Sequence, residues 1–116
     1  TMVGGGYDHC FVIDRGRGAS QSLCAWASSD KTGISMKVYT TQPGVQLYTG
    51  NFLQDCPAPG KGGVPMRKYG GFALETQHFP CSPSHPEFPS TALRAGKVFR
   101  ANTTLRFFTG KQCGKL

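Results

Sequence analysis

The sequence predicts an all-β protein, an antiparallel β-sandwich or part of one, within a single domain. Glycine and proline make up 24 of the 116 residues, about a fifth of the chain against about 12% on average. Short segments of alternating polar and apolar residues are separated by turn signals roughly every ten residues. No segment has the apolar period of a helix, and none is a run of about 18 apolar residues that would span a membrane.

The first half of the chain contains four predicted strands. The apolar run Cys10 to Ile13 ends at the turn signal Asp-Arg-Gly. Residues 23–28 (LCAWAS) alternate, and Trp26, the single tryptophan, is predicted to fill the core. Residues 34–40 (ISMKVYT) alternate most strongly, which predicts a half-buried antiparallel strand. A Pro-Gly turn then leads into the strand at 45–50 (VQLYTG).

The second half of the chain contains two predicted strands separated by long loops. Residues 54–70 hold three prolines and four glycines, which indicates a loop. Residues 71–77 (GFALETQ) predict a buried strand. Four prolines in residues 78–90 predict another irregular loop, because proline cannot donate to a sheet ladder. The last strand is predicted from Val98 to Phe108, followed by a tail from Lys111.

Glu75 lies in the middle of a predicted buried strand, which raises the question of its role. A charged side chain is seldom fully buried without a partner or a function. Strand alternation puts Glu75 and Gln77 on one face, and it puts Gln46 and Tyr48 on one face of the strand before. Carboxylate, amide and aromatic groups together suit a polyhydroxylated ligand. The same pattern also describes an ordinary solvent-exposed face, and Tyr48 is interpreted as a packing residue.

The net charge of +7 comes from basic residues scattered along the chain, of which the longest run is Arg67-Lys68. We therefore expect no nucleic-acid partner, and no membrane partner either. Five cysteines without a Cys-x-x-Cys motif predict free thiols in a reducing compartment. The predicted location is the cytoplasm. The C-terminal Gly-Lys-Leu weakly resembles the Ser-Lys-Leu signal, which leaves a peroxisome-like organelle as the alternative.

A metal site is the alternative interpretation of His78, Cys81 and His85, with Cys56 as a fourth ligand. Their spacing does not match the common zinc patterns, and two prolines interrupt the stretch. We expect neither a metal nor another cofactor.

Three stretches resemble the aldose 1-epimerase, or galactose mutarotase, family. They are YDHCFVID from residue 7, VYTTQPGVQLYTGNFL from residue 38, and GFALETQHFP with HPEFPSTALR from residue 71 onward. The resemblance runs in order from about Gly6 to about Phe108. It implies a large antiparallel β-sandwich of the galactose-mutarotase type. It also implies that residues 1–116 form a single partial domain, the C-terminal portion of that sandwich.

The resemblance implies an isomerase that interconverts the α and β anomers of hexoses such as galactose and glucose by acid–base ring opening. The family's catalytic base, in the Leu-Glu-Thr-Gln motif, matches Glu75. Its sugar-binding aspartate, in the Tyr-Asp-His motif, matches Asp8, although the alternative for Asp8 is a turn cap. Its sugar-binding glutamine, in the Gln-Pro-Gly-Val-Gln motif, matches Gln46. Cys10 stands where the family usually has asparagine.

The family's general acid is a histidine, and a second histidine assists it. Both lie upstream of the Tyr-Asp-His motif, where residues 1–6 (TMVGGG) contain no histidine. The chain alone is therefore expected to be inactive, and the missing N-terminal portion of the same protein is an expected partner. The alternatives are a non-catalytic mutarotase-like carbohydrate-binding module and a structural fragment unable to fold alone.

Overall fold

The computed structural model describes residues 5–16 and 20–109, and in these ranges the chain is almost entirely strand and loop. The strands are β1 (Asp8–Val12), β2 (Ser22–Ser28), β3 (Ile34–Thr40), β4 (Gly44–Tyr48), β5 (Ala73–Gln77) and β6 (Thr103–Thr109). Single 3₁₀ turns occur at Leu53–Asp55, Lys61–Gly63 and Ser82–Ser84. Within this part of the chain no helix has the length and apolarity of a membrane span. Cys113 and the C-terminal Gly-Lys-Leu lie outside the described residues.

The six strands form two three-stranded antiparallel sheets. Sheet A has the order β1-β4-β5, and sheet B has the order β2-β3-β6. The predicted antiparallel all-β class is therefore confirmed. The chain leaves sheet A after β1, builds two strands of sheet B, and returns to sheet A for β4 and β5. As a result, strands far apart in the sequence become neighbours in sheet A.

The inner faces of the two sheets meet around a small core. Val38 at the centre of β3 is 1% exposed, and Val45 of β4 and Ile13 are also buried. The hydroxyls of Thr76 and Thr103 lie 2.6 Å apart, which links β5 of sheet A to β6 of sheet B. β3 has the bounds predicted from its alternation, and it is the central strand of sheet B. A strand with a partner on each edge and one covered face is where such alternation is expected to be strongest.

Three expectations from the sequence are wrong in detail. The last strand begins at Thr103 and not at Val98, because the backbone first pairs with the β3 side at Asn102, whose carbonyl accepts from the Thr41 N–H. The strand at 71–77 begins at Ala73 and is only half-buried. Trp26 is 42% exposed, because its parity in β2 places it opposite Lys37, on the outer face of sheet B.

Candidate functional site

The polar side chains of sheet A lie on one face of three adjacent strands. In the register, Gln46 of β4 lies opposite Glu75 of β5 on one side and opposite Cys10 of β1 on the other. Directly opposed residues in antiparallel strands point to the same face. That face, called the polar face below, therefore carries Asp8, Cys10, Gln46, Tyr48, Glu75 and Gln77. The structure thus brings together the two polar stripes that the sequence pattern indicated, and it adds a third strand.

The polar face is the outer face of sheet A. Thr76, which has the opposite parity to Glu75, points to sheet B and contacts Thr103. Buried Val45 has the same parity as Thr76 in the register. Glu75 is consequently exposed, and not buried as the strand pattern suggested. The physical reason is that Glu75 lies on the side of sheet A turned away from sheet B.

Asp8 and Gln46 are joined directly across β1 and β4. The Nε2 amide of Gln46 donates a hydrogen bond of 2.7 Å to Oδ1 of Asp8. Because a carboxylate only accepts, this contact also fixes which end of the Gln46 amide carries the oxygen. Asp8 is the first residue of β1 and belongs to the ladder, so its turn-capping alternative is wrong.

The remaining oxygen of Gln46, Oε1, is buried but has no hydrogen-bond donor among the described residues. A buried acceptor without a donor costs on the order of 1–3 kcal/mol. Asp8, in contrast, is exposed, and its carboxylate has lone pairs beyond the one that Gln46 uses. The pair Asp8–Gln46 therefore presents carboxylate oxygens that can accept hydrogen bonds from hydroxyl groups.

Glu75 lies beside this pair with its carboxylate available. Its Cβ is opposite that of Gln46, and directly opposed residues have Cβ atoms about 4.5–5.5 Å apart. Within residues 5–16 and 20–109, the Glu75 side chain makes no hydrogen bond or ion pair. Its carboxylate lone pairs are therefore available to accept a proton or a hydrogen bond from a ligand.

Tyr48 has a structural contact at the end of the polar face. Its hydroxyl accepts a hydrogen bond of 2.9 Å from the backbone N–H of Phe52. This contact holds the turn that follows β4 against the sheet. It supports the interpretation of Tyr48 as a packing residue, since its polar end is occupied by the backbone.

Cys10 and Gln77 make a contact that the sequence pattern did not reveal. The Gln77 amide donates to the Cys10 sulfur over 3.9 Å, across the Gly44 position of β4. A side chain at residue 44 would begin 2.9 Å from that sulfur and 3.0 Å from the Phe79 ring, so glycine is required for this close approach. Burial raises the pKa of the Cys10 thiol, and the hydrogen bond from Gln77 lowers it by a smaller amount.

The Cys10 thiol is expected to react slowly with iodoacetamide at neutral pH, because the thiolate is the reactive form and burial disfavours it. Cys56 and Cys81 are exposed free thiols and are expected to react several-fold faster. Peptide-level mass spectrometry over a time course measures each rate, and the urea-unfolded chain serves as the control. The variant Gln77→Leu should slow Cys10 further. Equal rates at Cys10 and Cys56 in the folded chain would contradict this assignment.

Two of the three histidines, His9 and His78, lie off the polar face. Alternation in β1 turns His9 to the opposite side from Asp8, and its Nδ1 accepts from the Asp8 N–H over 3.0 Å. His78 lies beside Phe99 at the end of sheet A. His85 pairs with Glu87 at 2.8 Å. Within the described ranges, the alternative metal site has no cluster of three or more ligating side chains.

The comparisons with known proteins agree on one family. Residues 2–106 match the family model for aldose 1-epimerase. The galactose mutarotases of Rattus norvegicus and Homo sapiens are each 41% identical over 102 residues. The aldose 1-epimerase of Escherichia coli K12 is 38% identical over 105 residues. Each match covers 88% of this chain and 29% of the relative, so the chain spans less than a third of these relatives' length. This chain belongs to the aldose 1-epimerase family.

Proposed function

We propose that this chain supplies the sugar-binding face and the catalytic base of an enzyme that interconverts the α and β anomers of hexoses such as galactose and glucose. The observation that carries the proposal is the placement of Asp8, Gln46 and Glu75 side by side on three adjacent strands. Relatives named galactose mutarotase and aldose 1-epimerase support it.

In this proposal Glu75 is the general base. Its carboxylate accepts the proton of the anomeric hydroxyl, and the electron pair of that O–H bond forms the carbonyl as the bond from the anomeric carbon to the ring oxygen breaks. An acid protonates the ring oxygen at the same time. Rotation about the neighbouring carbon–carbon bond turns the other face of the carbonyl to the ring hydroxyl. Reversal of the proton transfers then closes the ring as the other anomer.

Asp8 and Gln46 hold the sugar while the proton moves. The carboxylate of Asp8, to which Gln46 donates, accepts hydrogen bonds from sugar hydroxyls. The existing bond between them fixes both groups before the sugar arrives, which reduces the entropy lost on binding. A fixed sugar keeps its anomeric hydroxyl in reach of Glu75, and such positioning is a large part of the rate of a bound reaction.

The proton donor is proposed to come from outside residues 1–116. His9 and His78 lie off the polar face, as the register and their contacts require, and His85 is paired with Glu87. The resemblance to the family assigns the acid to a histidine upstream of Tyr7. We therefore propose that the chain alone lacks the acid and is inactive.

The inner face of sheet B has exposed apolar residues, which supports the proposal of a larger sandwich. Leu105 and Phe107 of β6 have the same parity as buried Val38, yet they are 52% and 66% exposed. An open groove of about 460 Å³ runs along this face between Met36, Phe72 and Phe107. Exposed apolar surface of this kind marks an interaction site. We propose that residues 1–116 form a partial domain and that the remainder of a mutarotase-like sandwich covers this face.

The proposal is tested by polarimetry on freshly dissolved α-D-galactose. The samples are the 116-residue chain and a chimera in which its matched 102 residues replace the corresponding segment of rat galactose mutarotase. We expect spontaneous drift with the chain alone and accelerated drift with the chimera. A chimera that unfolds cooperatively but leaves the drift at its spontaneous rate would contradict the enzymatic proposal. Galactose binding by that inactive chimera would identify a carbohydrate-binding module.

A further inference from the structure

A cavity separate from the polar face lies at the end of sheet A that is distant from Asp8. Three segments meet there: the chain that leaves β1 at Arg15, the Gln42-Pro43 turn before β4, and His78 after β5. The segment from Phe99 to Ala101 closes the fourth side. The cavity volume is about 180 Å³. This is the liquid volume of about six water molecules, which is enough for one tetrahedral oxyanion.

Among the described residues, the charged and ionisable residues that line this cavity are all basic, namely Arg15, Arg100 and His78. Within the described residues, no carboxylate lines the cavity and neither arginine has an ion pair within 4.0 Å. Asp14 neighbours Arg15 in the sequence and is exposed, but it is not part of the lining. Two unpaired guanidinium groups around one concave space produce a positive potential that attracts anions.

Backbone hydrogen bonds fix the walls of the cavity. The Ile13 N–H donates to the Pro43 carbonyl over 2.9 Å, which ties the β1 exit to the turn. The Thr41 N–H donates to the Asn102 carbonyl over 3.0 Å, which ties that turn to the segment carrying Arg100. Gln42 is buried between these two contacts. These contacts lie two residues from each arginine and fix the backbone from which both side chains extend.

We propose that this cavity binds a phosphate group, held between Arg15 and Arg100 and contacted by His78. A guanidinium group donates two parallel hydrogen bonds to a pair of oxygens. A planar carboxylate is satisfied by the two hydrogen bonds of one guanidinium group. A tetrahedral phosphate has enough oxygens for two guanidinium groups and one further donor. The proposal does not depend on the anomer reaction at the polar face.

The phosphate group has two sources, inorganic phosphate and a phosphomonoester carried by a sugar. β5 connects the two sites, since Glu75 lies on the polar face and His78 directly follows Gln77, the last residue of the strand. The cavity has room for the phosphate group itself, and it is open to solvent, so a larger molecule can extend from it. The experiment therefore compares inorganic phosphate, galactose 6-phosphate and galactose.

The test is a nuclear magnetic resonance titration of the full chain at constant ionic strength, with phosphate replacing chloride. The reporters are the guanidinium signals of Arg15 and Arg100 and the imidazole signals of His78. We expect saturable shifts with inorganic phosphate and with galactose 6-phosphate, and none at these groups with galactose. Tighter binding of the sugar phosphate would identify a phosphomonoester as the ligand. Equal affinity would identify the phosphate group alone as what is recognised.

The test variant is the double substitution Arg15→Gln with Arg100→Gln. Its matched control is Arg67→Gln, which lies on an exposed loop outside the cavity. Loss of both guanidinium groups is expected to weaken phosphate binding by at least about tenfold, the effect of a single charge-assisted hydrogen bond. Arg67→Gln should leave it unchanged. Unaltered signals from the strands would show that each variant is folded. Shifts that never saturate, or an unchanged affinity in the double variant, would overturn the proposal.

Discussion

Replacing Glu75 by glutamine is expected to lower the catalysed mutarotation of galactose by about 10²–10⁴-fold, the usual contribution of a general base. The amide keeps the shape of the side chain but cannot accept the anomeric proton. The Glu75 side chain makes no hydrogen bond or ion pair within residues 5–16 and 20–109, so the variant breaks no such contact there. Polarimetry on the chimera measures the rate, and galactose affinity is expected to change little.

The matched control for this prediction is Glu87→Gln. Glu87 is also an exposed carboxylate of this chain, but it pairs with His85 and does not belong to any strand of the polar face. Its loss removes the same charge but leaves Asp8, Gln46 and Glu75 in place, and an exposed ion pair contributes little to stability. The rate should therefore stay within about twofold of the parent. A Glu75→Gln chimera that kept the parent rate would show that another group is the base.

Replacing Gly50 by alanine is expected to reduce the free energy of unfolding by about 2–5 kcal/mol. Gly50 follows β4 with φ of +69°, a left-handed conformation that costs other residues about 1–2 kcal/mol. A Cβ there would also lie 2.6 Å from the Gly71 carbonyl oxygen and 2.8 Å from the Leu53 side chain. The forced shift of backbone adds a further cost of about 1–3 kcal/mol. Urea unfolding followed by circular dichroism measures the loss.

Gly33 provides a control that separates the two causes. It has nearly the same φ, +68°, but its Cβ position has nothing within 4 Å among the described residues. Gly33→Ala should therefore lose only the conformational term of about 1–2 kcal/mol. Similar losses for Gly33→Ala and Gly50→Ala would mean that the contact with Gly71 is not a close one. A larger loss at Gly50 supports its role in setting β4 against the segment that leads into β5.

The order of the strands within the sheets could not be predicted from the sequence. Alternation correctly predicted the β class and the bounds of β3, because side-chain parity within one strand depends only on neighbouring residues. β1 and β4 are separated by about thirty residues that include two strands of the other sheet, so their pairing depends on contacts that no local pattern encodes. The hydrogen bond between Asp8 and Gln46 depends on that pairing, so it could not be predicted from the sequence either.

The sequence alone determined the fold class, the family resemblance and the three residues of the candidate site, since these depend on local parity and on short motifs around Asp8, Gln46 and Glu75. Only the tertiary structure decided which groups are neighbours and which are covered. It put Glu75 on an open outer face, turned His9 to the other side, and gathered Arg15 and Arg100 around one cavity. The physical reason is that burial and charge proximity depend on how distant segments pack against each other.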